Sequence, residues 1–331
     1  MEIFTRAQWR ASGLSLRALA TALERGEIWR VFRGVYAMSG VPDAPEIRAR
    51  AVRLIRPPGT VVVRQTAAWI AGIDVLPPGR SILDEPVWLG VPQEMTAPRI
   101  AGCRARRAQF ADEDLVEMDG LTRTTDLRTA LDLGRFLPRR QAVAAIDAFL
   151  HAGLVTLDDL WDRSRLLVQA RNCRRLSANL EVADGGAESY AESEQRVLFI
   201  DAGLPRPRTQ IPVCGLAGDL IGYVDMGWLG CLLGSEFDGS EGHGSEEQLE
   251  HDKHRRGRIH RETDWLIDVT RGEQLWGTPA ALAAHTAHLL LQRGWQPEMP
   301  AILEQLSRAV DYEAKTGLRW DWMPLDRLRA A

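Results

Sequence analysis

The sequence predicts a multi-domain α/β protein whose N-terminal part is of the α+β kind. Its 331 residues exceed what one hydrophobic core usually organises. Strand-like and helix-like patterns alternate along it, and Asp184-Gly185-Gly186 reads as a linker before the last large domain. The expected division is 1–56, 57–184, 185–277 and 278–331. No run of 18 apolar residues occurs, and the N-terminus lacks the charged-then-apolar order of a secretion signal, so the expectation is a soluble, cytoplasmic protein with no membrane partner. Cys103, Cys173, Cys214 and Cys231 have no close metal-ligand spacing and are expected as free thiols.

The first 56 residues hold ten arginines against five acids, although the whole chain carries a net charge of -4. Clustered positive charge is the electrostatic footprint of a phosphate-binding surface and survives an acidic average. Two short helices are expected here, Thr5 to Ala11 and Ser15 to Glu24, with Thr5 and Ser15 as N-caps and Gly13 and Gly26 as stops. Leu16, Leu19, Ala20 and Leu23 form one apolar stripe on the second. Ile28 to Met38 alternates around Arg33-Gly34 and reads as a two-stranded ribbon. Helix, tight turn, helix and basic hairpin is the order of a winged helix-turn-helix. Arg17 lies on the helix that would enter the major groove, and Arg30 and Arg33 on the ribbon would meet phosphate.

From Ala44 to Arg56 a helix is expected, ended by Pro57-Pro58-Gly59. A mixed α/β stretch follows: strands at Val61 to Val63 and Val87 to Val91, and helices around Ala67 to Ala71, from Thr125 to Leu133 and from Arg139 to Leu150. Leu154 to Asp184 reads as helical and charged. No group of residues in the middle region points to chemistry. Its default role is structural or interactive.

FTRAQWRASGLSLRALATALERGEIWRVFRGVYAM resembles the N-terminal domain of the AbiEi-type antitoxins of abortive-infection systems, which is a winged helix. GLTRTTDLRTALDLGRF and AVAAIDAFLHAGLV resemble the region that follows this domain in antitoxin-like bacterial proteins.

Beyond the linker the patterns run helix (Ser189 to Ala202), strand (Gln210 to Cys214), strand (Leu220 to Asp225), strand (Cys231 to Phe237), helix (Ser245 to Ile259) and strand (Trp265 to Val269). Two further helices, Pro279 to Arg293 and Ala301 to Thr316, precede the Trp-rich tail LRWDWMPLDRL. A hairpin turn centred on Gly230 and Cys231 sets Asp225 opposite Glu236, and Asp238 shares the face of Glu236. Like charges opposite each other repel, so one acid must be protonated or a cation must sit between them. A hard divalent ion is the plainest candidate. On the other hand, Asp225 and Asp238 can equally end strands and turns, His243 sits in a Gly- and Glu-rich loop, and Glu192 reads as one acid of an exposed helix.

The order αβββαβ is the common core of the PD-(D/E)XK nucleases. AESEQRVLFIDAGLPRPRTQIPV, YVDMGW, EFDG, DKHRR and WLIDVT, taken in order, resemble a family related to very-short-patch repair endonuclease. That resemblance implies a metal-dependent DNA endonuclease of repair or phage defence, cleaving duplex or single-stranded DNA with Mg2+ or Mn2+. Asp225, Glu236 and Asp238 would be the metal ligands. Glu192 would hold a metal-bound water, and His243 would protonate the leaving oxygen. Lys253, Arg255 and Arg256 on the following helix would contact phosphate. Asp238 stands where the superfamily usually has its catalytic lysine. The alternative is a non-enzymatic, antitoxin-type DNA-binding transcriptional regulator with a degenerate nuclease domain. A toxin or defence-system protein is the further partner considered.

Overall fold

The computed structural model describes residues 2–99, 102–167, 169–239 and 246–322. The chain divides into two compact units, Met1–Gly185 and Gly186–Ala331.

The first unit opens with a strand, β1 (Ile3–Thr5), which pairs antiparallel with the later hairpin. Three residues are too few to show a two-residue period, so the sequence pattern does not announce it. Helix α1 (Arg6–Ala11) starts in a capping box: Gln8 N donates to Thr5 Oγ1 at 3.2 Å, and Thr5 N donates to Gln8 Oε1 at 2.8 Å. Helix α2 (Leu16–Glu24) is capped by Ser15, whose Oγ accepts from Ala18 N. The hairpin β2 (Ile28–Phe32) and β3 (Val35–Met38) turns at Arg33-Gly34, where Gly34 takes φ +85°, a left-handed conformation that favours glycine. The resulting sheet has the order β1-β3-β2. Leu19 and Ala22 of α2 are buried with Phe4, Ile28 and Tyr36, so one face of α2 is fixed against the sheet.

Helix α3 (Pro45–Arg53) has Pro at its first position and leads to β4 (Val61–Val62), α4 (Arg64–Ile70), β5 (Val87–Val91) and β6 (Cys103–Arg107). Next come β7 (Leu115–Met118), β8 (Leu121–Thr124), and helices α5 (Asp126–Phe136), α6 (Arg139–His151), α7 (Leu157–Arg165) and α8 (Cys173–Leu180). These strands form a five-stranded mixed sheet, order β6-β5-β4-β8-β7. The core does not break at residue 56. Val31, Phe32 and Ala37 belong to one buried cluster with Val52, Val62, Leu89 and Leu121. The helices build a second cluster from Leu131, Leu133, Ile146, Phe149, Leu160 and Leu176. The stretch from Leu154 to Asp184, read as helical, holds two helices, α7 and α8.

The second unit contains α9 (Tyr190–Asp201), β9 (Arg208–Cys214), β10 (Leu220–Trp228), β11 (Leu233–Asp238), α10 (Glu246–Glu262) and β12 (Leu266–Arg271). The element order αβββαβ is thus present. Its sheet runs β12-β11-β10-β9, with β11 and β12 parallel and the other pairs antiparallel. A single π turn, Glu273–Gly277, leads to α11 (Pro279–Gln292) and α12 (Ala301–Thr316). Leu198, Phe199, Met226, Trp228, Leu233, Leu282 and Leu290 make the main core of this unit, and Trp322 of the tail packs on it. Val213, Val224 and Ile259 form a smaller buried cluster with β9, β10 and α10 as its walls.

Candidate functional site

Two groups of residues singled out by sequence can be placed, one in each unit. In the first unit, the burial of Leu19 and Ala22 leaves the opposite face of α2 in solvent, and Arg17 is exposed there. Arg33 is exposed at the tip of the β2–β3 turn. Arg30 behaves differently from expectation. It is half-buried, and its Nη2 donates to Leu83 O at 3.3 Å, which ties the hairpin to the segment before β5. Its alternation with buried Val31 and Phe32 gave no hint of that carbonyl, which lies 53 residues away.

In the second unit the β10–β11 hairpin has the register Trp228↔Leu233, Gly227↔Gly234 and Met226↔Ser235. Continuing that count sets Asp225 opposite Glu236, as the turn position predicted. The ladder stops one step short of them. Phe237 N instead donates to Asp225 Oδ2 at 2.9 Å, so the carboxylate takes up a backbone donor that ladder pairing would otherwise use. Asp225 is half-buried, and its pKa is pushed up to about 7. Burial is the main cause, resisted by the Phe237 hydrogen bond; the charges of Glu192 and Glu236 raise it further and Arg255 opposes them.

Glu236 is 5% exposed, and its charge is balanced from α10. Arg255 Nη1 donates to Glu236 Oε1 at 2.7 Å and Nη2 to Oε2 at 3.0 Å, a two-point fork. Arg255 Nη1 also donates to Tyr223 O at 2.8 Å, and Arg256 Nε stands 4.0 Å from Glu236 Oε2. The stem of Arg255 passes over Gly222, where an added Cβ would come within 2.8 Å of Arg255 Cδ. A guanidinium of the chain itself thus brings positive charge to Glu236. Arg255, expected at phosphate, is committed to Glu236; Arg256 is half-buried beside the same carboxylate, and Lys253 is exposed.

Of the remaining acids, Glu192 stands near enough to Asp225 for its charge to raise that carboxyl's pKa. Glu192 is not on an exposed helix, because α9 is buried from Ala191 to Phe199. Ser189 Oγ accepts from Glu192 N, while Glu192 Oε2 accepts from Glu188 N at 2.9 Å, so Glu192 is part of the helix start. Asp238 ends β11, half-buried and in register with Arg271. His243 lies outside the described residues. Among the described residues, no three His, Cys, Asp or Glu side chains are grouped so as to hold a metal ion. With both Glu236 oxygens on Arg255 and Asp225 on Phe237 N, this donor set does not fit Mg2+ or Mn2+, which take oxygen ligands in a full shell.

Sequence reasoning passed over Gln195, whose Nε2 donates at 2.8 Å to both Ser235 Oγ and Thr270 Oγ1 and so joins α9 to β11 and β12. A buried glutamine inside the helical pattern was its only signal. Among the described residues, no helix is long and apolar enough to cross a membrane.

Comparison with known proteins places two recognised domains on the first unit. Residues 1–39 match the family described as transcriptional regulator, AbiEi antitoxin, and residues 60–182 match the AbiEi antitoxin C-terminal domain. Two curated relatives from Mycobacterium tuberculosis, "Uncharacterized protein MT2308" of strain CDC 1551 / Oshkosh and "Uncharacterized protein Rv2248" of strain H37Rv, are each 28% identical over 283 residues, covering 84% of this chain and 97% of the relative. A solved structure, the RV2827C protein from the same species, is 18% identical with a TM-score of 0.31, covering 55% of this chain and 72% of that one.

Proposed function

We propose that the protein is an antitoxin-type, DNA-binding transcriptional regulator and that its second unit is not a nuclease. The observation that supports this reading is the pair of AbiEi domain matches, 1–39 and 60–182, lying in tandem within one compact unit. The exposed Arg17 on α2 and Arg33 at the hairpin tip supply cations for phosphate, with the helix in the major groove. In the second unit the Arg255 fork on Glu236 replaces the ion that hydrolysis would need. The protein partner in this reading is a toxin, which the antitoxin domains would serve to restrain.

Fluorescence anisotropy on DNA from upstream of the gene, with and without EDTA, tests it. Binding should be sequence-specific and independent of divalent metal. The Arg17→Ala and Arg33→Ala substitutions should each weaken it and reduce the magnitude of the log–log salt slope by about 1. Nicking of plasmid with Mg2+ or Mn2+ that Asp225→Ala abolishes would overturn the reading.

A further inference from the structure

A third arginine cluster lies at the five-stranded sheet of the first unit. The Arg64 guanidinium carbon is 4.8 Å from the ring centre of Trp88 and 4.2 Å from that of Phe136. Arg104, the register partner of Trp88 across β5 and β6, stands 5.5 Å from the same Trp88 ring. Arg135 is 4.9 Å from Phe136. Stacking of this kind holds a guanidinium plane while leaving its N–H edges to donate.

The local charge is unbalanced. Asp132 is shared by Arg128 and Arg135, and Asp114 by Arg128 and Arg163. Among the described residues, no carboxylate lies within ion-pair distance of Arg64, Arg104 or Arg106. Burial, and then the charges of Arg106, Arg135 and Arg171, lower the pKa of Arg64 against the pull of Asp132. Arg64 also takes φ +54°, a left-handed conformation that costs a non-glycine residue energy and is found disproportionately at ligand sites. The Trp88 Nε1–H is buried and unpaired, a further donor on the same ring. β6 is an edge strand, and its Arg104, Arg106 and Arg107 line, with Arg99, a cleft of about 760 Å³. A half-buried cation without an acceptor, crowded by like charges and held in a strained backbone, is stabilised by an anion.

We propose that Arg64 and Arg104, both held on the Trp88 ring, together with Arg106, two residues along β6 from Arg104, form a binding site for phosphate, carried either by a nucleotide or by a nucleic-acid backbone. Ring stacking orders two of the three forks before the ligand arrives, which lowers the entropy lost on binding. The site uses neither Arg17 nor Arg33 and does not depend on the promoter-binding reading.

Calorimetric titration of the intact protein with pyrophosphate, ATP and a short single-stranded oligonucleotide tests this. The variants are Arg104→Ala and Arg106→Ala, both at exposed positions, with Arg308→Ala in the second unit as a charge control. The wild type should bind at least one probe, with affinity falling about tenfold or more in the first two variants and unchanged in the third. Binding of ATP or pyrophosphate marks a nucleotide site, and binding of the oligonucleotide alone marks a backbone site. No binding of any probe by the wild type would overturn the proposal. So would equal affinities in wild type, Arg104→Ala and Arg106→Ala, or an equal loss in Arg308→Ala.

Discussion

At the scale of single residues, the second unit answers its facing acids in two ways. Arg255 grips both oxygens of Glu236, and Asp225 holds its proton up to about pH 7. Removing Arg255 strands a buried carboxylate, so Arg255→Ala should lower stability by about 3–5 kcal/mol, read by urea denaturation. Arg255→Ala with Glu236→Gln should recover part of that loss, because the uncompensated charge is gone. For Asp225 the sign follows from linkage. Its folded pKa of about 7 lies above the value of ~3.9 expected in the unfolded chain, so the folded state binds the extra proton between those limits. Its contribution is fully favourable below about pH 4 and is lost as pH rises through 7, up to about 4 kcal/mol in all. Asp225→Asn keeps an acceptor for Phe237 N and should flatten this part of the profile. The difference in unfolding free energy, variant minus wild type, should therefore grow from pH 5 to pH 8; a constant difference would refute the shifted carboxyl.

At the scale of elements, packing decides where propensity alone would mislead. Gly134 sits inside α5, where alanine should gain about 1 kcal/mol in helix propensity. Its missing Cβ is what lets Leu176 and Ile146 approach, with Leu176 Cδ1 2.7 Å and Ile146 Cδ1 3.0 Å from where that Cβ would stand. Both neighbours are fully buried, so overpacking of about 1–3 kcal/mol should win and Gly134→Ala should lower the melting temperature. Helices α11 and α12 were legible because long apolar periods mark them, and they begin at Pro279 and Ala301, as the pattern required. The strand β5 was legible for the same reason, whereas β6, CRARR, hides its strand character because its outward side chains are all arginine. The acids of the hairpin were legible as a register, and their partner was not. Arg255 is 19 residues from Glu236 on another element, a distance over which no spacing rule operates. The same blindness made α9 look exposed, since its acids are satisfied by a helix cap and by Trp276 Nε1, which donates to Glu194 Oε2 at 2.6 Å.

At the scale of the whole molecule, the division at Gly185 predicts how function separates. The first unit encloses three apolar clusters and a buried ion-pair chain through Asp114, Arg128 and Asp132, and among the described residues every member of those clusters precedes the linker. Fragment 1–185 should therefore unfold cooperatively by itself, monitored by circular dichroism against urea. A cut at residue 56 should not give a folded N-terminal piece, because Val31 and Phe32 would lose Val62, Leu89 and Leu121. If the regulator reading is right, fragment 1–185 should bind the upstream DNA with the same salt slope as the full chain, since the slope counts phosphates neutralised and Arg17 and Arg33 are both retained. A slope shallower by about 2 or more in the fragment would mean that cations of the second unit, such as the exposed Lys253, also neutralise phosphates. DNA binding would then belong to the whole chain, and the second unit would be part of the docking surface rather than a body carried beside it.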